Sequence, residues 1–320
     1  MIDPISLAAM SPRPFRFSSP ITIAGSRVEL RDQVRKLEDF GYSTATMSDH
    51  IDGQLGPIAS LMAIAEASTT LRIAPLVFSN DFRHPVVLAK EAATLDLLSE
   101  GRLEFGLGAG WQDTDYDRAG IDHDPAGVRI ARLAEALAVV KALWADGPLT
   151  HEGPNYRVTD LEGMPKPYQR PHPPIIVGGG ARKVLELAGR EADIVGFNPS
   201  MAAGRIDASA GPSATPRATD HKVEWVRAAA GDRFDHLELH VRLQLSIVVD
   251  DPEPLFEEIG GGFGLTAEEA RHSPYALAGP VEAMVDALLE RRERWGFSYI
   301  GIPYGAAEVM APVVSKLAGT

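Results

Sequence analysis

The chain has no cysteine among its 320 residues, which excludes disulfides, thiolate nucleophiles, cysteine-ligated zinc and iron-sulfur clusters. Basic residues are the minority: 31 Lys and Arg against 44 Asp and Glu leave a formal charge of −13. Such a balance opposes a sequence-independent grip on nucleic acid or an anionic membrane, so neither is expected as a partner, and any anionic ligand needs a local site. No apolar run approaches the roughly 18 to 20 residues of a membrane span, and the opening MIDPISLAAMSPR lacks the basic start and long apolar core of a secretion signal. A soluble, cytoplasmic protein is expected. What the chain does have is length, enough to bury about 75% of the surface its unfolded form exposes, and a regular alternation of strand-like and helix-like runs.

FRFSS precedes RVELRDQVRKLEDFG, in which Val28, Leu30, Val34, Leu37 and Phe40 recur at helical spacing and Gly41 suits the C-cap. STATM, LRIAPLVFS, RLEFGLG, PPIIVGGG, DIVGF, LHVRLQLSIVV and SYIGIP are the other strand candidates, each followed by a stretch of helical period. Pro85 suits a first helical turn and Gly101 a helix end. Eight such βα units predict one α/β domain over residues 1–320, a (β/α)8 TIM barrel rather than a doubly wound sheet. Residues 1–13 are expected to be a flexible N-terminal extension. Three stretches interrupt the alternation and read as insertions after strands four, six and seven: Leu149 to Pro174, rich in proline and irregular; Met201 to Asp220, with the composition of a flexible loop; and Pro252 to Pro280. The last two would hang over the barrel mouth, as lids or as plain linkers.

In a barrel of this kind the carboxyl ends of the strands form the active face. That rule turns TATMSDH, Thr44 to His50, from a puzzle into a pointer: Asp49 and His50 follow strand two, at the rim, where polar groups can meet a ligand. Alone, the pair could be metal ligands, a nucleophile-activating dyad or a hydrogen-bonded rim feature. Metal-dependent barrel hydrolases draw several His and carboxylate ligands from different strand ends, whereas here strand one ends in Ser18 and Ser19, and strands five and six in Gly and Asn198, so no metal site is expected. His123 reads as a solvated loop histidine and His84 as a helix-entry residue. His50 remains as the rim acid–base. GLGAGW, Gly106 to Trp111, is a weak dinucleotide fingerprint because WQDTDYDRAGIDHD after it reads as polar loop; its glycines either clear space at the mouth for a flat ring or serve tight strand packing. In IIVGGGARKVLELAG a strand, three glycines and a helix start follow in the order of an anion site, Gly178, Gly179 and Gly180 with Arg182 in the first turn; a phosphate site or a tight βα turn without ligand fits.

Taken together, SNDFRHPVVLAKEAATLDLLSEGRLEFGLGAGW, the SDH after strand two, PPIIVGGGARKVLELAGREADIVG and the closing APVVSKLAG resemble the luciferase-like monooxygenase superfamily over nearly the whole chain, and within it the oxidoreductases that use the deazaflavin coenzyme F420. The resemblance implies a coenzyme ring in the barrel mouth, backed by a strand-three bulge with a non-proline cis peptide near Leu76 and Val77. It further implies that Asp49, Ser79, Asn80, Gly108, Ala109, Gly110 and Trp111 line the coenzyme, that Gly178 to Gly180 and Arg182 lie near its phosphate, and that His50 faces a small-molecule substrate. Hydride transfer to or from an alcohol, a carbonyl or an activated double bond is the implied chemistry, with a homodimer as the common assembly. An FMN-dependent monooxygenase and a coenzyme-binding barrel without catalysis are the alternatives. The chain departs from the branch that oxidises glucose 6-phosphate: Gln54 and Trp111 stand where that branch has tryptophan and glutamate, so that substrate does not carry over.

Overall fold

The computed structural model describes residues 13–205 and 207–320. The expected N-terminal extension falls on residues 1–12, outside them, while Arg13 donates a hydrogen bond to the His236 carbonyl. In chain order the strands are β1 (Arg16–Pro20), β2 (Thr44–Met47), β3 (Arg72–Pro75), β4 (Phe78–Ser79), β5 (Phe105–Gly108), β6 (Pro148–Glu152), β7 (Arg157–Glu162), β8 (Ile175–Gly179), β9 (Ile194–Phe197), β10 (Glu238–Arg242), β11 (Leu245–Val248), β12 (Ala276–Gly279) and β13 (Phe297–Gly301). The helices are α1 (Arg27–Asp39), α2 (Pro57–Ala67), α3 (Pro85–Leu98), α4 (Asp113–Ala119), α5 (Ala126–Trp144), α6 (Arg182–Glu191), α7 (Pro216–Ala230), α8 (Glu253–Phe263), α9 (Ala267–His272), α10 (Val281–Trp295) and α11 (Ala311–Leu317).

The large sheet runs β3-β2-β1-β13-β10-β9-β8-β5-β4, all parallel. Its two ends, β3 and β4, are consecutive pieces of one strand, so the sheet closes on itself into the expected (β/α)8 barrel. The break between them is the cis peptide Leu76–Val77, at the expected place. Most of the core lies between barrel and helices, where alternate strand residues such as Phe17, Ile73 and Leu107 meet the apolar stripes of helices such as α1, through Leu30, Val34 and Leu37. A smaller cluster of Ala74, Ile176, Ile194 and Tyr299, joined by Leu76 and Val77, fills the barrel itself. Below it Glu104 is held between Arg16 and Arg72, giving the floor a polar plug.

Local signals explain the helix starts. Ser26 caps α1 by accepting from the Glu29 amide, and His84 caps α3 from the Val86 amide with Pro85 in the first turn, which bears out its reading as a helix-entry residue. The insertions carry more structure than composition implied. Leu149 to Pro174 opens with the antiparallel hairpin β6–β7, in which Thr150 Oγ1 accepts from the Asp160 amide and Tyr156, just before β7, is buried. In Met201 to Asp220, the composition of a flexible loop gives way at its end to helix, since the Thr215 side chain caps α7 and Pro216 occupies its first turn. Pro252 to Pro280 holds α8, α9 and β12, with a capping box between Thr266 and Glu269 at α9. The single seventh strand is two: β10 in the barrel and β11, which leaves it to pair with β12.

Candidate active site

Asp49, 7% exposed, follows β2 at the mouth, and its carboxylate is fully engaged. It accepts from the Ser79 amide at 2.9 Å and from both terminal nitrogens of Arg83. A bidentate guanidinium fixes both oxygens in one plane. Asp49 therefore clamps the β2 end to the segment after β4, and leaves the open chemistry at this strand end to its neighbour.

His50 is held differently. Its Nδ1 lies 2.6 Å from Asp115 Oδ2, and Asp115 Oδ1 accepts from the Ile51 amide at 3.1 Å. Asp115 is 4% exposed, so a buried carboxylate orients the imidazole with Nδ1 as the hydrogen-bonded nitrogen, and Nε2 has no hydrogen-bond partner among the described residues. Trp111 meets the imidazole edge to face, with ring centres 5.8 Å apart. Sequence pattern alone misses Asp115, because WQDTDYDRAGIDHD has the composition of a polar loop. The stretch instead forms α4, ended by Gly120 with φ +67°, and its buried face presents Asp115 and Tyr116. The signal was there in the two positions flanking Tyr116 and the terminal glycine, but seven residues carry too little periodicity to stand out. His123 is likewise no free loop residue: it stacks on Tyr116 at 4.1 Å between ring centres, with Nδ1 3.3 Å from Asp113. Burial, with the nearby Asp81 carboxylate, pushes the Tyr116 hydroxyl up to about 12.

The β5 glycines meet the second of the two readings made for them. A Cβ on Gly106 would stand 2.1 Å from the Pro75 carbonyl oxygen and 2.9 Å from Val77 Cγ1; one on Gly108 would stand 2.5 Å from Val77 Cγ2. The notch they leave is thus filled by the bulge of the neighbouring strand, and it is Val77 and Leu76 that face the barrel interior. Gly110, at φ +74°, lets Tyr116 OH approach to 1.8 Å of the position its Cβ would take. Arg129 donates to the Ala109 and Gly110 carbonyls and so fixes this loop. Ser79 and Asn80 are buried beside it. Asn80 Nδ2 donates to Tyr156 OH at 3.0 Å, whereas Ser79 Oγ and Asn80 Oδ1 have no partner among the described residues.

After β8, Gly178 and Gly180 make room for backbone: added Cβ atoms would lie 2.9 Å from the Gly196 oxygen and 2.2 Å from the Pro199 oxygen, and one on Gly179 would lie 2.3 Å from Val184 Cγ1. The close βα turn of the sequence reading is therefore present. The helix that follows, α6, has Ala181 at its N-cap and no side-chain cap, which leaves its first-turn amides open to an anion. Arg182 is turned along the helix surface, 2.7 Å from Glu186. Further round the mouth, buried Lys222 of α7 donates to the Asn198 and Ser213 carbonyls and Tyr275 OH, tying two insertions to the end of β9; burial lowers its pKa to about 7.

A barrel whose open end gathers an oriented histidine, an apolar bulge and an uncapped helix start belongs among the barrel enzymes that work on a ligand at their strand ends. The chain belongs to the luciferase-like monooxygenase family, whose model matches residues 9–251. It is 26% identical over 285 residues to the FMNH(2)-dependent dimethylsulfone monooxygenase of Pseudomonas putida, 86% of this chain and 76% of that protein. It is 32% identical over 173 residues to the F420-dependent glucose-6-phosphate dehydrogenase of Microbacterium testaceum, spanning 52% of this chain and 51% of that one, about half of each. Among solved structures, coenzyme F420 dependent tetrahydromethanopterin reductase from Methanopyrus kandleri superposes with a TM-score of 0.75 at 17% identity, covering 95% of this chain and 100% of that one. Relatives thus include both F420-dependent and flavin-dependent oxidoreductases.

Proposed function

We propose that the chain is an oxidoreductase transferring hydride between coenzyme F420 and a small organic substrate, with His50 as the general acid–base. The observation that carries this reading is the His50–Asp115 pair, a buried carboxylate holding a rim imidazole by one nitrogen and leaving the other unengaged. The residues at the mouth fit such a coenzyme. Leu76 and Val77 offer an apolar wall for a flat ring, Ser79 Oγ and Asn80 Oδ1 are buried polar atoms without partners among the described residues, and the uncapped start of α6 after Gly178 to Gly180 suits a phosphate. On this reading Gly108, Ala109, Gly110 and Trp111 line the coenzyme, and Arg182, paired with Glu186 in the free chain, lies near its phosphate.

Bound there, F420 supplies a two-electron hydride carrier. His50 Nε2 takes the proton from a substrate hydroxyl, or returns it to a carbonyl, while Asp115 keeps Nδ1 hydrogen-bonded and holds the ring in place. Asp49 acts through Arg83 and the Ser79 amide to fix the loop beside the coenzyme, so its role is positioning. The F420-dependent relative supports the choice of coenzyme; the longer alignment to the FMNH(2)-dependent monooxygenase supports a second reading with reduced FMN as oxygenating coenzyme. Fluorescence titrations of the protein with F420 and with FMN decide between them: F420 tighter by tenfold or more is expected, and FMN tighter by the same factor overturns the choice. His50→Ala is expected to slow turnover by about 10² or more with the coenzyme dissociation constant little changed; unchanged turnover removes His50 from the mechanism.

A further inference from the structure

We propose that the barrel wall opposite the Leu76–Val77 bulge is an oxyanion subsite, in which Arg242 grips the carboxylate of an organic-acid substrate. The inference rests on the coenzyme reading above and extends it to the class of substrate. In the closed ring, β10 lies four strands from the β3–β4 strand in either direction, so its end faces the bulge across the mouth. Arg242 is the last residue of β10, at the carboxyl end of the strand, following Val241, which is buried toward the helices.

Three observations single this guanidinium out. Arg16, Arg72, Arg83 and Arg132 each hold a carboxylate and Arg129 is engaged by the Ala109 and Gly110 carbonyls, whereas Arg242 makes no hydrogen bond or ion pair among the described residues. Its side chain is exposed at the carboxyl end of a barrel strand, and desolvation by the surrounding protein still lowers its pKa, with no carboxylate acting the other way. That combination marks a side chain standing in a concavity. The wall beside it is also cut away. Gly301 is its register partner on β13, and Ser18 on β1 is the partner of Gly301, so the three residues share one level. A Cβ on Gly301 would lie 3.5 Å from Arg242 Cβ and 3.0 Å from His240 Nε2. The His240 Nε2 and Ser18 Oγ atoms at this level are buried and have no hydrogen-bond partner among the described residues, and neither side chain is an anion that could offset the arginine.

A partly desolvated guanidinium without an anion is an unfavourable arrangement that a ligand carboxylate corrects, since its two oxygens match the planar fork of donors. The net charge of −13 gives the chain no general attraction for anions, so the local fork has to supply it. Under the coenzyme reading the ring rests on the bulge and the phosphate at α6, after strand five of the ring; Arg242 then faces the exposed side of the ring, where a substrate enters.

The test uses calorimetric titration of benzoate and of methanesulfonate into the full chain at fixed ionic strength, without coenzyme, for the wild type, Arg242→Met and Arg242→Lys. Benzoate is expected to bind the wild type at least tenfold more tightly than R242M, with R242K between them because it keeps the charge and loses the fork. The His240 imidazole NMR signals should move with benzoate in the wild type and stay still in R242M. All three proteins should show the same urea midpoint and, within about twofold, the same affinity for the coenzyme. Equal benzoate affinity in wild type and R242M overturns the proposal, as does loss of coenzyme binding in R242M with benzoate binding intact. Methanesulfonate binding more tightly than benzoate overturns the carboxylate assignment. Because the titration needs no coenzyme, a failure of F420 and FMN to bind would sink the coenzyme reading and leave the anion result to be judged by itself.

Discussion

Asp115→Asn is the sharpest perturbation of the site, because it keeps the shape of the side chain and removes only its charge and half of its acceptors. In the native protein both oxygens are engaged, Oδ2 with His50 Nδ1 at 2.6 Å and Oδ1 with the Ile51 amide at 3.1 Å. Asparagine has one acceptor for these two donors. If its oxygen keeps the Ile51 amide, its NH2 faces Nδ1, and the imidazole must move its proton to Nε2 to offer an acceptor there. The base is then lost from the mouth. A hydrogen bond to a charged group contributes about 1.5 to 3 kcal/mol; the His50 side chain is 26% exposed, so water screens the pair and the lower part of that range applies, about 1.5 to 2 kcal/mol. Urea unfolding of wild type, D115N, H50A and the double variant gives the coupling directly. Long-range nitrogen NMR reads the tautomer, with Nδ1–H expected in the wild type and Nε2–H in D115N, and turnover should fall by about 10² or more. An unchanged tautomer together with a coupling below about 0.5 kcal/mol would refute the argument that Asp115 holds His50 for catalysis.

Two further outcomes follow from the packing. Gly106→Ala forces a Cβ to 2.1 Å from the Pro75 oxygen, a backbone atom that cannot swing away, so a stability loss of about 3 kcal/mol or more is expected in denaturant melts; a loss under 1 kcal/mol would mean the bulge moves freely. Lys222 is lowered by burial to about 7 from its ordinary 10.5, so between those values the unfolded chain carries a proton that the folded one has released. Stability should therefore rise with pH through that window, by up to about 1.4 kcal/mol per unit, and the full cost of the buried cation is present below it. Lys222→Met should flatten this rise in urea melts recorded from neutral to mildly alkaline pH, and an unchanged slope would assign it to other groups.

Much of the site was legible from short-range pattern. The rim position of Asp49 and His50, the glycine triplet before α6 and the break at Leu76–Val77 follow from strand-end rules and family likeness. The partners of these residues were not legible. Arg83 reaches Asp49 from 34 residues away and Asp115 reaches His50 from 65, and both pairings exist because neighbouring loops of a ring converge over its mouth. The glycines of β5 leave two readings open for a related reason: an absent side chain fits open space or close packing equally until the neighbouring strand is known to bulge into it.

By itself the sequence determined the eight-fold alternation, the capped helix starts and which residue types end each strand, because periodicity, caps and turn chemistry act within a few residues. Tertiary structure alone decided that Val77 fills the β5 notch, that β11 leaves the barrel to pair with β12, that Lys222 ties two insertions together and that Arg242 has no counter-ion among the described residues. Those outcomes depend on the register and radius at which the sheet closes, quantities set by the packing of the whole ring and encoded in no single segment.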